Sequence, residues 1–134
     1  MRIIGVTGGV GSGKSEVLNY IQDHFDARVV RADEVGHMLM MPGRACYEPV
    51  INLFGEWVVN DDTSINRTMI GEIVFDNPEL LKKLDDIIHP EVKKYIKKEI
   101  EISKKEETEF FFIEAAILLE EKYDEICDEV WYIY

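Results

Sequence analysis

Cysteine is scarce in this sequence, and its scarcity excludes two classes of protein. The chain has two cysteines, Cys46 and Cys127, which form neither a C-x-x-C pair nor a Cys/His cluster with metal-ligand spacing. A disulfide-stabilised scaffold and a structural zinc domain are therefore both excluded. We interpret both cysteines as small buried apolar residues of a protein from a reducing compartment.

Long apolar runs are also absent. The longest, residues 110–119, is interrupted by Glu114 and is too short to span a bilayer. Residues 1–6 lead directly into glycines, so the N-terminus lacks the apolar core of a signal peptide. We therefore expect a cytoplasmic protein with no membrane partner.

Positive charge is in short supply. The 134 residues include 15 Lys and Arg against 27 Asp and Glu, a formal net charge of −12. Such a field repels the phosphates of nucleic acid, which makes a nucleic-acid partner unexpected. A chain of this length can form one domain whose core needs no metal or disulfide.

The apolar pattern predicts an α/β fold. Apolar runs at 2–7, 110–113 and 130–134 are typical of buried parallel strands, and Arg28-Val29-Val30-Arg31 is a second, brief strand candidate. Spacings of three and four predict helices over 14–24, 35–41, 47–54, 68–75, 78–88, 90–105 and 118–126. We separate the helices at 88 and 90 because proline disfavours helix at the residue before it. The sequence thus predicts a parallel sheet with a helical insertion between its second and third strands.

A glycine-rich segment carries the strongest functional signal. Gly8-Gly9-Val10-Gly11-Ser12-Gly13-Lys14-Ser15 matches the P-loop pattern G-x-x-x-x-G-K-[ST] between a strand and a helix. Glycines let the backbone surround phosphate oxygens, and the helix N-terminus adds positive potential. We expect Lys14 to contact the β- and γ-phosphates of a nucleotide and the Ser15 hydroxyl to bind Mg²⁺.

Two acidic residues follow predicted strands, and each has two interpretations. Asp33 is a candidate to accept a proton from an attacking hydroxyl, or it is the N-cap of the helix that follows. Glu114 is a candidate to organise Mg²⁺, directly or through water, or it is a plain polar strand end. The residues alone do not separate these alternatives.

Two further residues are candidates for substrate binding. Arg67 begins a helix and is either an anion-binding group or part of a surface ion pair. His89 lies at the predicted helix break, where a histidine is more often a capping or packing residue than a catalyst.

Taken together, these motifs resemble the dephospho-coenzyme A kinases, a family of P-loop kinases. The stretches that agree are residues 4–15, Ala32-Asp33-Glu34-Val35, Phe54-Gly55, Asn66-Arg67 with Gly71, Val74-Phe75, residues 87–90 and Leu118-Leu119-Glu120. The resemblance implies a nucleoside-monophosphate-kinase-like core that uses ATP and Mg²⁺ to phosphorylate the ribose 3′-hydroxyl of dephospho-CoA. It also implies that Asp33 is the catalytic base, assisted by Lys14, and that Arg67 and His89 are substrate-side residues.

The sequence departs from the family in composition and in length. Arg31 stands where an aspartate is frequent, Glu16 where a threonine is usual and Ala116 where a proline is usual. Family members continue with an arginine-bearing lid, a further strand and a helix. We therefore expect a fragment or truncated chain, with residues 1–37 and 106–134 as an incomplete nucleotide-binding core and 38–105 as the substrate-binding insertion.

The alternatives are another small-molecule or nucleotide P-loop kinase, and a nucleotide-binding module that is inactive because it is truncated. A GTPase is disfavoured because no Asn-Lys-x-Asp motif is present. We leave the oligomeric state open and expect an unpaired sheet edge at 130–134 to promote self-association.

Overall fold

A computed structural model of the protein describes residues 1–9 and 13–133. Its strands are β1 (Arg2–Gly8), β2 (Ala27–Arg31), β3 (Phe110–Glu114) and β4 (Glu129–Ile133). They form a four-stranded sheet in the order β2-β3-β1-β4. All three strand pairs are parallel. The predicted α/β fold with a parallel sheet is confirmed.

Five α-helices connect the strands within the described residues. They are α1 (Lys14–His24), α2 (Ala32–Leu39), α3 (Tyr47–Phe54), α4 (Arg67–Phe75) and α5 (Pro78–Lys105), and short 3-10 helices cover Glu56–Val58 and Tyr123–Ile126. Along the chain, helices α2 to α5 follow β2 and precede β3. This order confirms the predicted helical insertion. No described helix is both long enough and apolar enough to cross a bilayer.

The sheet has a compact core beneath α1. Leu18 and Ile21 of α1 are buried together with Ile4, Val6, Val29 and Phe112 from three strands. On β3, Phe111, Phe112 and Ile113 are all buried, as expected for a strand with neighbours on both sides. The uninterrupted apolar run that identified this strand thus reflects burial on both faces of the sheet.

The predicted break at His89-Pro90 is wrong, because α5 is one helix with Pro90 inside it. Proline lacks an N–H and its ring clashes with the preceding turn, at a cost of about 3 kcal/mol. The buried positions Leu84, Val92, Ile96 and Ile100 recur at multiples of four across the proline. Each such side chain contributes about 1.5–3 kcal/mol on burial, so this continuous apolar stripe offsets the proline.

The predicted helix at 118–126 is also wrong. Hydrogen-bonded turns occupy 116–122 and are followed by the 3-10 helix Tyr123–Ile126. Lys122 has φ 60°, a left-handed conformation that interrupts any α-helix. The buried pair Leu118 and Tyr123 is joined by a hydrogen bond of 3.0 Å from the Tyr123 N–H to the Leu118 carbonyl. A tight turn therefore buries the apolar residues that gave the segment its helical pattern.

The chain divides into two compact units. The first comprises Met1–Asp33 and Tyr95–Tyr134, and the second comprises Glu34–Lys94. The first contains the whole sheet and α1, whereas the second contains α3 and α4. The domain boundaries drawn from the sequence remain a prediction, because they concern which residues bind nucleotide and which bind substrate.

Candidate functional site

The carboxyl ends of three neighbouring strands bring the predicted site residues of the first unit to one edge of the sheet. Gly8 ends β1, Glu114 ends β3, and Asp33 follows β2 by two residues. The register pairs Val6 and Arg31 with Glu114 on either side. In open parallel sheets this edge is where ligands bind.

The glycine-rich loop is described at its two ends. Gly8, Gly9, Gly13, Lys14 and Ser15 are described, and the remaining predicted loop residues, Val10, Gly11 and Ser12, lie outside the described residues. Gly13 immediately precedes α1 and has φ 84°, a conformation that side-chain-bearing residues rarely adopt. This position therefore requires glycine, and the first N–H groups of α1 have no partner within the helix, so the start of α1 favours an anion.

Lys14 and Glu114 form an ion pair at this edge. The Lys14 Nζ lies 2.7 Å from Oε1 of Glu114, and it also donates a hydrogen bond of 3.3 Å to the carbonyl of Gly8. The two side chains are only 14% and 11% exposed. The ammonium is thus held between the ends of β1 and β3, at the start of α1.

The donor set for a cation is small. Among residues 1–9 and 13–133, no group of three or more His, Cys, Asp and Glu side chains could hold a metal ion. Mg²⁺ in phosphoryl-transfer sites typically takes one or two protein ligands and completes its coordination with phosphate and water. Ser15 is exposed at the start of α1 and fits such a role, whereas the Glu114 carboxylate is engaged by Lys14.

Asp33 is the second residue of α2 and is exposed. Because α2 begins at Ala32, Asp33 is not its N-cap, and that interpretation is wrong.

A group near Asp33 that the sequence analysis missed is Tyr123, which is 2% exposed. Burial, followed by the charges of Glu121 and Asp33, raises the pKa of Tyr123 to about 12. No local motif distinguishes this tyrosine, because only the fold brings it near Asp33.

Arg31, a departure from the family pattern, is held against α1. Its Nη2 donates a hydrogen bond of 2.9 Å to Oδ1 of Asn19. The backbone of Arg31 is paired with that of Glu114. A cation therefore occupies the β2 end of the same edge as the Lys14 ion pair.

The two predicted substrate residues belong to the second unit. Arg67 is the exposed first residue of α4, behind the N-cap Asn66, whose Oδ1 accepts a hydrogen bond of 3.0 Å from the Met69 N–H. His89 lies inside α5, with its Nε2 3.8 Å from Oδ1 of Asp85 one turn earlier. It is therefore not at a helix break, and the roles of both residues in substrate binding remain predictions.

Comparisons with known proteins agree with this architecture. The dephospho-CoA kinase of Carboxydothermus hydrogenoformans is 36% identical over 132 residues, covering 98% of this chain and 64% of that protein. The enzyme of the same name from Dehalococcoides mccartyi is 36% identical over 133 residues, covering 99% of this chain and 66% of its own length. The chain thus spans slightly less than two thirds of these curated relatives.

Solved structures agree as well. A crystal structure from Thermus thermophilus superposes with a TM-score of 0.80 at 28% identity, covering 98% of this chain and 64% of that one. The dephospho-CoA kinase from Campylobacter jejuni gives a TM-score of 0.78 at 27% identity, covering 100% of this chain and 67% of that one. The sequence model of the CoaE family, dephospho-CoA kinase, matches residues 2–134. The chain therefore belongs to the dephospho-CoA kinase family.

Proposed function

We propose that the protein transfers the γ-phosphoryl group of MgATP to the ribose 3′-hydroxyl of dephospho-CoA, giving CoA and ADP in the last step of coenzyme A biosynthesis. The match of the family model over residues 2–134 carries this proposal. The P-loop sequence and the gathering of Lys14 and Asp33 at the carboxyl edge of the sheet support it.

Phosphate binding is assigned to the loop and the start of α1. The backbone of residues 8–13 would surround the phosphates, and Lys14 would contact the β- and γ-phosphate oxygens. The Ser15 hydroxyl would hold Mg²⁺, which when bound neutralises charge on those oxygens. Glu114 remains a candidate for orienting a water ligand of that cation. Because charge spreads over the γ-phosphoryl group during transfer, fixed cations at this position stabilise the transition state.

The acceptor hydroxyl is assigned to Asp33. Its exposed carboxylate follows β2 at the same edge of the sheet, where it can accept the proton that the attacking 3′-hydroxyl loses. Arg67 and His89 are proposed to bind dephospho-CoA, Arg67 through a charge-assisted contact with a phosphate.

Replacing Asp33 by asparagine tests this assignment. Positioned bases contribute about 100- to 10,000-fold to turnover, so we expect kcat for CoA formation to fall at least about 100-fold in Asp33→Asn. ATP affinity should remain, because the loop and Lys14 are unchanged. Glu34→Gln, which neutralises the adjacent exposed carboxylate of α2, is the matched control. Full turnover by Asp33→Asn would remove Asp33 from the role of base.

A panel of acceptors tests the substrate. Dephospho-CoA and nucleoside monophosphates are offered with ATP, and ADP formation is measured. Preference for a nucleoside monophosphate would identify a different P-loop kinase, and ATP binding without turnover on any acceptor would identify a nucleotide-binding module.

We also propose that the protein works in the cytoplasm, without a nucleic-acid partner. The net charge of −12 supports the second statement. Within the described residues β4 is an edge strand that exposes Tyr132, and self-association through that edge is an expectation for measurement by sedimentation.

A further inference from the structure

Glu114 is unusual among the acidic side chains of this protein because it is buried. Of the polar and charged residues that are buried in the described part of the chain, Glu114 is the one that carries a carboxylate. Its burial is compensated by the ammonium of Lys14, 2.7 Å away. Removing one partner of such a buried pair leaves the other charge uncompensated, which is strongly unfavourable.

The Lys14 ammonium is also the group that we propose contacts the phosphates of the nucleotide. Lys14 is held by Glu114 on β3 and by the Gly8 carbonyl at the end of β1, so it is already engaged by two acceptors. A phosphate that approaches Lys14 must compete with Glu114 for it. The carboxylate also repels the phosphate, because both are negative and both lie next to the same ammonium.

We propose that Glu114 is a positioning residue that holds the Lys14 ammonium at the carboxyl edge of the sheet until a nucleoside triphosphate binds. Phosphate then binds at the expense of the Lys14–Glu114 ion pair. This inference rests on the proposed function in one respect, that the site binds ATP, and it is independent of the acceptor. It differs from a role in metal binding, which would leave the metal-free affinity for ATP unaffected by Glu114.

Calorimetric titration of ATP in the presence of a metal chelator tests the proposal. In Glu114→Gln the neutral amide competes poorly for Lys14 and does not repel phosphate, so we expect ATP to bind about tenfold more tightly than to the wild type, a change of about 1.4 kcal/mol. Glu114→Asp keeps the charge and should bind ATP within about threefold of the wild type. The thermal midpoint of Glu114→Gln should fall, because Lys14 loses its counter-ion.

The matched control is Glu129→Gln. Glu129 is the first residue of β4, away from the carboxyl ends of the strands, and it forms an exposed ion pair with Arg2. Its neutralisation changes the net charge by the same amount as Glu114→Gln. We expect ATP affinity to stay unchanged in this variant, which separates a local effect of Glu114 from an effect of total charge.

A second measurement uses the unaltered protein and does not depend on the folding of a variant. A carbodiimide joins a carboxylate and an amine that touch, by activating the carboxylate and releasing a urea as the amide forms. Because the two atoms are 2.7 Å apart, peptide mass spectrometry should detect a Lys14–Glu114 amide. Metal-free ATP should suppress it, whereas adenosine at the same concentration should not.

Two outcomes overturn the proposal. One is metal-free ATP affinity in folded Glu114→Gln that equals or falls below that of the wild type. The other is a Lys14–Glu114 crosslink that is absent, or that forms equally well with ATP present. A protein that passes both tests but phosphorylates an acceptor other than dephospho-CoA refutes the proposed function and leaves this inference intact.

Discussion

Gly5 occupies a position in β1 where the fold leaves no room for a side chain. Its neighbours in the sheet are Ile113 on β3 and Val130 on β4. A Cβ at this position would lie 3.0 Å from the Cys127 Sγ, and 3.0 and 3.1 Å from the two Cδ atoms of Leu118. Leu118 is 1% exposed and has no solvent to move into. We therefore expect Gly5→Ala to destabilise the strand that leads into the P-loop.

The magnitude follows from two opposing effects. Overpacking of a core typically costs about 1–3 kcal/mol, since the neighbours must shift by a few tenths of an ångström. Replacing glycine by alanine within a strand recovers about 0.5–1 kcal/mol, because the unfolded chain loses less conformational freedom on folding. At the midpoints of these two ranges, the free energy of unfolding should decrease by about 1 kcal/mol. Urea unfolding followed by circular dichroism measures this difference.

A double-mutant cycle identifies the cause. Cys127→Ala removes the Sγ that the new methyl group would meet, so the loss in Gly5→Ala/Cys127→Ala should be smaller than the sum of the single losses by about 0.5 kcal/mol or more. Gly71→Ala is the control, because a Cβ at Gly71 meets no atom within 4 Å and α4 should gain up to about 1 kcal/mol. A Gly5→Ala variant as stable as the wild type would refute the steric argument.

Two further predictions concern α5 and alkaline pH. Pro90 is exposed within α5 and leaves the Asp86 carbonyl without its helical N–H partner. Pro90→Ala should therefore raise the free energy of unfolding, measured by urea titration, by up to about 3 kcal/mol. An unchanged unfolding midpoint would contradict this prediction. Burial raises the pKa of Cys127 from 9.0 to about 11. The folded state therefore keeps a proton that the unfolded state loses, and stability should fall as pH rises from 9.0 to about 11. In Cys127→Ala the decrease of stability with pH should be less steep. The part of that decrease due to Tyr123, whose pKa rises from 10.0 to about 12, should persist. An equally steep decrease in Cys127→Ala would contradict the assignment to Cys127.

The secondary structure was predictable where a local pattern and a local break coincide. The predicted spans 14–24 and 47–54 have the bounds observed for α1 and α3, because apolar spacing and flanking glycines are local signals. In both erroneous spans, the burial of apolar side chains decided the backbone conformation against the local pattern. Across Pro90 an apolar stripe that is buried overcomes a local break, and at Leu118 a left-handed residue closes a turn where the apolar spacing indicated a helix.

The candidate site was predictable to a similar extent. The P-loop pattern drew attention to Gly13 and Lys14 because it is formed by residues adjacent in the chain, and their role in phosphate binding stays a prediction. Glu114 was identified as a strand-end carboxylate, but its partner was not, since Lys14 is a hundred positions away. Tyr123 was missed because nothing in its neighbours along the chain reports the charge of Asp33.

By itself, the sequence determined the fold class, the P-loop pattern and the family of this protein, because these depend on apolar period and on residues close together in the chain. The tertiary structure alone decided that α5 is continuous, that Tyr123 is buried near the Asp33 charge, and that Lys14 is paired with Glu114. The physical reason is that burial and ion pairing depend on distances in space. These distances arise only when β1 and β3 pair in register and bring the start of α1 against the end of β3.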